Sequence, residues 1–132
     1  MTSKTLFAVF VWCLALSGAL PVVGWPALSS AEPVSFNEDV FPILELRCLK
    51  CHQPGKKGYE QSGLDLTTYR SLMKGTKHGP IVVPRSAFRS NLVVVIDHRA
   101  DAVIRMPHEG KRLSKCERLL VRTWINQGAR DN

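Results

Sequence analysis

Cys48, Cys51 and His52 stand together in the stretch Arg47-Cys48-Leu49-Lys50-Cys51-His52-Gln53, two thiols three residues apart with an imidazole directly behind them. Three chemistries use such a set. A disulfide-cycling pair sits at a helix N-terminus, where the helix dipole lowers the thiol pKa. A structural zinc ion needs two further ligands at a recognisable spacing. A covalently bound haem needs two thiols to meet its two vinyl groups as thioethers, with the next residue, a histidine, donating a nitrogen to the iron.

The surrounding pattern decides between them. Phe36, Val40, Ile43, Leu44 and Arg47 fall on one face of a 3.6-residue period, so a helix is predicted over Asn37–Cys51, capped by Asn37 or Asp39 with Pro42 in its first turn. The thiol pair lies at the end of that helix, where the dipole raises a thiol pKa, and no βαβ pattern surrounds it. For zinc, His52 is adjacent to Cys51, and His78, His98, His108 and Cys116 show no paired spacing. Haem accounts for the spacing, the histidine and the position. For the sixth iron ligand, Met106 stands in a loop stiffened by Pro107, whereas Met73 falls on the apolar face of a short helix and reads as core. His78, His98 and His108 remain alternative ligands.

A second helix is predicted over Lys115–Gln127. Ser114 and Glu117 form a capping box, Leu113, Cys116, Leu120, Val121, Trp124 and Ile125 line one face, and Gly128 ends it. Cys116 is therefore expected as a small buried apolar residue. Between the two helices the signal is thinner. Gln53–Gly58 reads as loop, Thr67 or Thr68 opens a short helix ended by Gly75, Lys77–Pro84 reads as extended, and Asp97–Gly110 as loop. Asn91–Ile96 is ambiguous: its β-branched run favours strand, yet Ser90 can cap a helix. A core this thin benefits from a large apolar cofactor.

The 132 residues make about one domain, and the start stands apart from it. Met1–Lys4 is cationic, Leu6–Val23 is an apolar run, and Ser29-Ser30-Ala31 offers small residues for cleavage, the layout of a secretory signal over residues 1–31. The alternative is an uncleaved anchor over residues 6–23, whose length approaches the roughly 18 residues of a membrane span. Residues 32–132 would then form the exported, periplasmic domain. They carry 17 Lys and Arg against 11 Asp and Glu, formally +6. The basic residues are scattered without aromatic interleaving, and export argues against nucleic acid. Acidic redox partner proteins fit the charge instead, with a membrane involved only if the N-terminal segment stays. Without Cys13 three cysteines remain, an odd number that excludes a disulfide-stapled miniprotein.

Several ordered motifs carry a resemblance over nearly all of residues 32–132. They are Phe36…Val40-Phe41-Pro42-Ile43-Leu44, Cys48-x-x-Cys51-His52, Gly63-Leu64-x-Leu66, Ile81-Val82-Val83-Pro84, Ser90-x-Leu92, Arg105-Met106-Pro107, Leu113-Ser114, and Trp124-Ile125…Gly128-Ala129. Together they resemble the planctomycete-type cytochrome c domain, a subgroup of the class I c-type cytochromes. The resemblance implies an all-α fold whose first and last helices cross against the edge of one haem c per chain. It implies Cys48 and Cys51 as thioether positions, His52 as proximal ligand, Met106 as distal ligand, and a helical Ser90–Ile96. The chain departs from the family at Arg85, where Gly usually follows Val-Pro, and at His108, where a second Pro often follows Met-Pro. The expected function is single-electron carriage by a His/Met haem without a catalytic constellation. An open-site haem sensor or peroxidase-like enzyme, and a small electron-transfer subunit of a larger redox complex, are the alternatives.

Overall fold

The computed structural model describes residues 32–108 and 110–132. Helices and turns make up these residues, with no strand among them and one isolated bridge between Thr76 and Gly79. The expected signal or anchor lies outside the described residues. No described helix is long and apolar enough to cross a membrane.

Ser35, rather than Asn37 or Asp39, caps the first helix. Its Oγ accepts the Glu38 N–H at 3.2 Å, and its own N–H donates to Asp39 Oδ2 at 2.8 Å. A π-helical turn, Phe36–Val40, then runs into α1, Phe41–Arg47. Phe36, Val40, Ile43 and Leu44 are buried, as the periodicity predicts. The helix ends four residues earlier than expected. The N–H groups of Cys48 and Leu49 both donate to the Leu44 carbonyl, at 2.8 and 3.1 Å, and residues 48–51 continue as turns.

The middle segments corrected two expectations. Lys57–Ser62 forms a short helix, α2, where loop was expected to reach Gly58; it buries no side chain and so leaves no apolar period to read. Lys77–Pro84 does not begin extended, because Thr76 and Gly79 close a tight turn through reciprocal backbone bonds of 2.9 and 3.0 Å. Gly75 enters that turn at φ +83, and a Cβ there would stand 2.4 Å from the Gly79 oxygen, so only glycine fits. Arg85 is left-handed (φ 65), keeping the conformation that a glycine adopts easily at this family position.

Two short helices follow expectation. Thr68 caps α3 (Tyr69–Lys74) in a reciprocal box with Ser71. Asn91–Ile96 is α4, helical despite three valines, because Leu92, Val93 and Ile96 bury on one face and that burial outweighs strand propensity. The last helix, α5 (Lys115–Asn126), begins with the predicted box: Ser114 N–H donates to Glu117 Oε2 at 2.6 Å, and Glu117 N–H donates to Ser114 Oγ at 3.2 Å. Its inner face differs at one position. Leu113, Val121, Trp124 and Ile125 are buried and Leu120 is half-buried, but Cys116 is exposed. The packed stripe gathers in the C-terminal half of α5, which leaves the first turn carrying Cys116 at the surface.

α5 packs against the Phe36–Val40 turn and against α4. Aromatic rings join the ends of the chain: Phe36 lies 5.4 Å from Trp124 and 5.3 Å from Tyr69, centroid to centroid. Tyr69 OH donates to the Ala129 carbonyl and Trp124 Nε1 to the Arg130 carbonyl, both at 2.8 Å. The Asn132 carbonyl accepts from Asn37 N–H at 2.9 Å and Ser35 Oγ at 2.7 Å. Trp124 is thus the keystone of the terminal packing. Trp124→Ala is expected to cost about 3–5 kcal/mol in chemical denaturation, the range for deleting a large buried aromatic; a loss within the scatter of surface substitutions would contradict this packing.

Candidate haem-attachment site

The Cys48–His52 segment is built as a closed turn on the end of α1. The Cys51 and His52 N–H groups both donate to the Cys48 carbonyl, at 3.1 and 3.0 Å. On the far side, Tyr59 N–H donates to the Cys51 carbonyl at 3.0 Å and Leu66 N–H to the His52 carbonyl at 2.9 Å. The Gly63-Leu64-x-Leu66 segment, with Leu64 and Leu66 buried, therefore braces the turn from behind. Gly58 lets α2 approach it: a Cβ there would meet the Cys51 oxygen at 2.7 Å and His52 Cε1 at 3.1 Å.

Both motif cysteines are free thiols, Cys48 half-buried and Cys51 exposed. Burial pushes the Cys48 thiol up to about 11, with the neighbouring Arg47 guanidinium pulling weakly the other way. A thiol held protonated is the opposite of what a disulfide-cycling pair requires. Burial of Cys48 therefore adds to the case against a disulfide-cycling pair.

His52 is a buried imidazole, 8% exposed. Burial holds its pKa below the ordinary histidine range, so the ring is neutral at neutral pH, the form that binds metals. Its Nδ1 is fully buried and meets no hydrogen-bond partner; the Leu64 backbone lies near enough to pull the pKa upward but closes no bond with it. Most buried polar atoms are paired, and with Nδ1 buried toward the Leu64 backbone the other ring nitrogen, Nε2, is the one left to reach a metal. Among the described residues no three of His, Cys, Asp and Glu converge on a point, which is what a zinc shell would need. Two thiols and an imidazole that stay apart on one turn suit a group that spans several ångströms. The donor set and the buried, neutral imidazole therefore fit haem c.

Met106 borders the same core as Cys48, half-buried in the loop between α4 and α5. Its N–H donates to the Val95 carbonyl at 3.1 Å, and its carbonyl meets His98 Nε2 at 3.1 Å. His98 is thereby anchored to the Met106 backbone, and His78 and His108 are exposed. Met73 packs against the core as expected. Sequence reasoning missed the contributions of Gly58 and of the His98 anchor, since neither a lone glycine nor a loop histidine carries a periodic signal.

A chain whose described residues form helices and turns, and which presents Cys-x-x-Cys-His on a braced helix-end turn, has the make-up of a c-type cytochrome domain. Residues 48–110 match the family described as Planctomycete cytochrome C. That match supports a haem-binding electron-transfer domain and implies covalent haem c. A solved hydrazine synthase from Kuenenia stuttgartiensis is similar in structure over 73% of this chain, with a TM-score of 0.53 and 24% sequence identity. At that identity the likeness speaks for the fold. The chain spans 16% of that protein's length. No curated protein matches in sequence.

Proposed function

We propose that this chain is an exported monohaem c-type cytochrome of class I architecture that carries single electrons between protein partners. The observation that carries the reading is the buried, neutral His52 imidazole on the same turn as two free thiols. In this reading Cys48 and Cys51 tether one haem c as thioethers and His52 ligates its iron. Met106 would supply a thioether as the second protein ligand, a donor that favours the reduced state. The haem supplies a one-electron iron couple when bound. The chain's own part is to hold the two ligands, exclude water with the apolar core, and leave an edge open to partners. Leu46 on α1, Val103 and Ile104 in the Met106 loop, and Leu119 on α5 are exposed apolar side chains on elements that would flank the cofactor.

Cleavage after residue 31 would deliver the domain to the periplasm, and its formal +6 favours acidic partner surfaces. A second role, as an electron-transfer module of a larger complex, draws support from the structural neighbour, where the matched fold is 16% of a much longer chain. A spectroelectrochemical titration separates carrier from open-site enzyme or sensor. The carrier is expected to titrate as a single one-electron couple, about 59 mV per tenfold change in ratio, with slow carbon monoxide binding and no peroxide turnover. Rapid carbon monoxide binding by the reduced protein would replace the carrier reading with the open-site one.

A further inference from the structure

Asp97 is the buried carboxylate of the described residues, 6% exposed, and it ends α4. An acid at a helix C-terminus gains nothing from the helix dipole, and a buried charge is costly unless paired. Here the pairing is unusually basic. Arg122 Nη2 contacts Asp97 Oδ2, Arg118 Nη1 lies 3.5 Å from Oδ1, and Arg99 Nε lies 3.5 Å from Oδ2. Arg112 Nη2 donates to the Asp97 backbone carbonyl at 2.5 Å. Four guanidinium groups thus gather on one aspartate, although the arginines look scattered along the sequence.

Their positions in the fold give the cluster a purpose. The loop that carries Met106 leaves α4 at Asp97 and returns toward α5 at Arg112, so the Arg112–Asp97 bond joins its two ends. Arg118 and Arg122 are one turn apart on α5, and through them Asp97 holds α4 against α5. Arg47, next to Cys48, reaches the same loop end: its Nη2 donates to the Lys111 and Arg112 carbonyls at 2.7 and 3.3 Å, and its Nε lies 3.8 Å from Glu117. A continuous polar brace therefore runs from the Cys48 helix, through Lys111 and Arg112, to Asp97 and α5. Because these guanidinium groups bond to carbonyls and a carboxylate of the chain itself, the cluster is a clamp on the protein and not an open anion pocket.

We infer that Asp97 is a positioning residue for the distal ligand: its carboxylate holds Arg118 and Arg122 of α5 while its backbone carbonyl holds Arg112, and together these bonds fix both ends of the Met106 loop and keep Met106 in place to ligate the iron. The inference rests on the reading of Met106 as distal ligand. Removing the charge of Asp97 takes the counter-charge from Arg99, Arg118 and Arg122, and their repulsion acts at the base of the loop, beside the Arg112 bond to the Asp97 backbone carbonyl. Met106 is then released while the thioether attachment at Cys48 and Cys51 stays intact.

The test compares holoproteins: wild type, Met106→Ala, Asp97→Asn, Asp97→Glu, Arg112→Gln and Leu72→Ala. The readouts are the weak far-red band of iron–thioether ligation in the oxidised state and the rate of carbon monoxide binding in the reduced state. Wild type is expected to show the band and Met106→Ala to lose it. Asp97→Asn is expected to weaken or lose the band with haem still attached, and to bind carbon monoxide faster by on the order of tenfold or more as the open population grows. Arg112→Gln, a change at an exposed residue, shifts both readouts in the same direction if Asp97→Asn does not fold. Asp97→Glu keeps the charge and recovers most of the band. Leu72→Ala empties a core site on α3, lowering the melting temperature without removing the band. A wild-type band that survives Asp97→Asn overturns the positioning role alone, as does a band in Asp97→Glu no stronger than in Asp97→Asn. Equal loss in Leu72→Ala also overturns it, since the band would then merely follow stability. A wild type without the band removes the Met106 reading and this inference with it.

Discussion

Met106→Ala is expected to lower the reduction potential of the holoprotein by on the order of 100 mV or more, a fraction of the range that axial ligands span. A thioether sulfur is a soft donor that stabilises the reduced iron relative to the oxidised one. With alanine in its place, water or a nearby histidine takes the position and that preference goes. Met106 sits where such a role is feasible, half-buried at the edge of the core, with its N–H held by Val95 and its carbonyl by His98. The same substitution opens the site, so the reduced variant is expected to bind carbon monoxide much faster than wild type. A potential and a binding rate both unchanged would show that another residue completes the ligand set, and His98 would be the first to test next.

Replacing Cys48 and Cys51 together by serine is expected to abolish covalent haem. It is also expected to lower the stability of the domain by roughly 3–5 kcal/mol, comparable to deleting a large core side chain. The reason lies in the size of the core. A domain of about a hundred residues buries a modest apolar surface, and here Leu46, Val103, Ile104 and Leu119 remain exposed on the elements around the motif. A tethered macrocycle extends that core and stabilises the folded state by binding it alone. The double variant is checked by haem staining after denaturing electrophoresis and by thermal unfolding. Retained stain would place the attachment elsewhere. Unchanged stability without stain would show that the cofactor adds nothing to the core.

Much of this was legible in the sequence, and the reasons are specific. The first and last helices announced themselves because Phe36, Val40, Ile43 and Leu44, and Val121, Trp124 and Ile125, repeat at helical spacing and are all buried. The α5 capping box was readable because Ser114 and Glu117 act within one turn. What failed was short or tertiary. α2 has no buried face, the Thr76–Gly79 turn depends on two backbone bonds, and Cys116 fell on the predicted stripe but at its exposed end. α4 was ambiguous because its valines prefer strand, and only packing resolves them. At the site, the motif itself could be read directly. The burial of His52, its orphaned nitrogen, and the gathering of arginines on Asp97 could not, since each depends on residues far apart in the chain.

The central claim is that one haem is bound covalently by this chain through Cys48 and Cys51. Its most direct test is the intact mass of protein expressed with a haem-attachment system and extracted with acid-acetone, followed by peptide mapping. The account predicts the mass of the chain plus one haem, with the addition confined to the peptide that contains Cys48, Cys51 and His52. A chain at its bare mass, with two alkylatable thiols at Cys48 and Cys51, would contradict it.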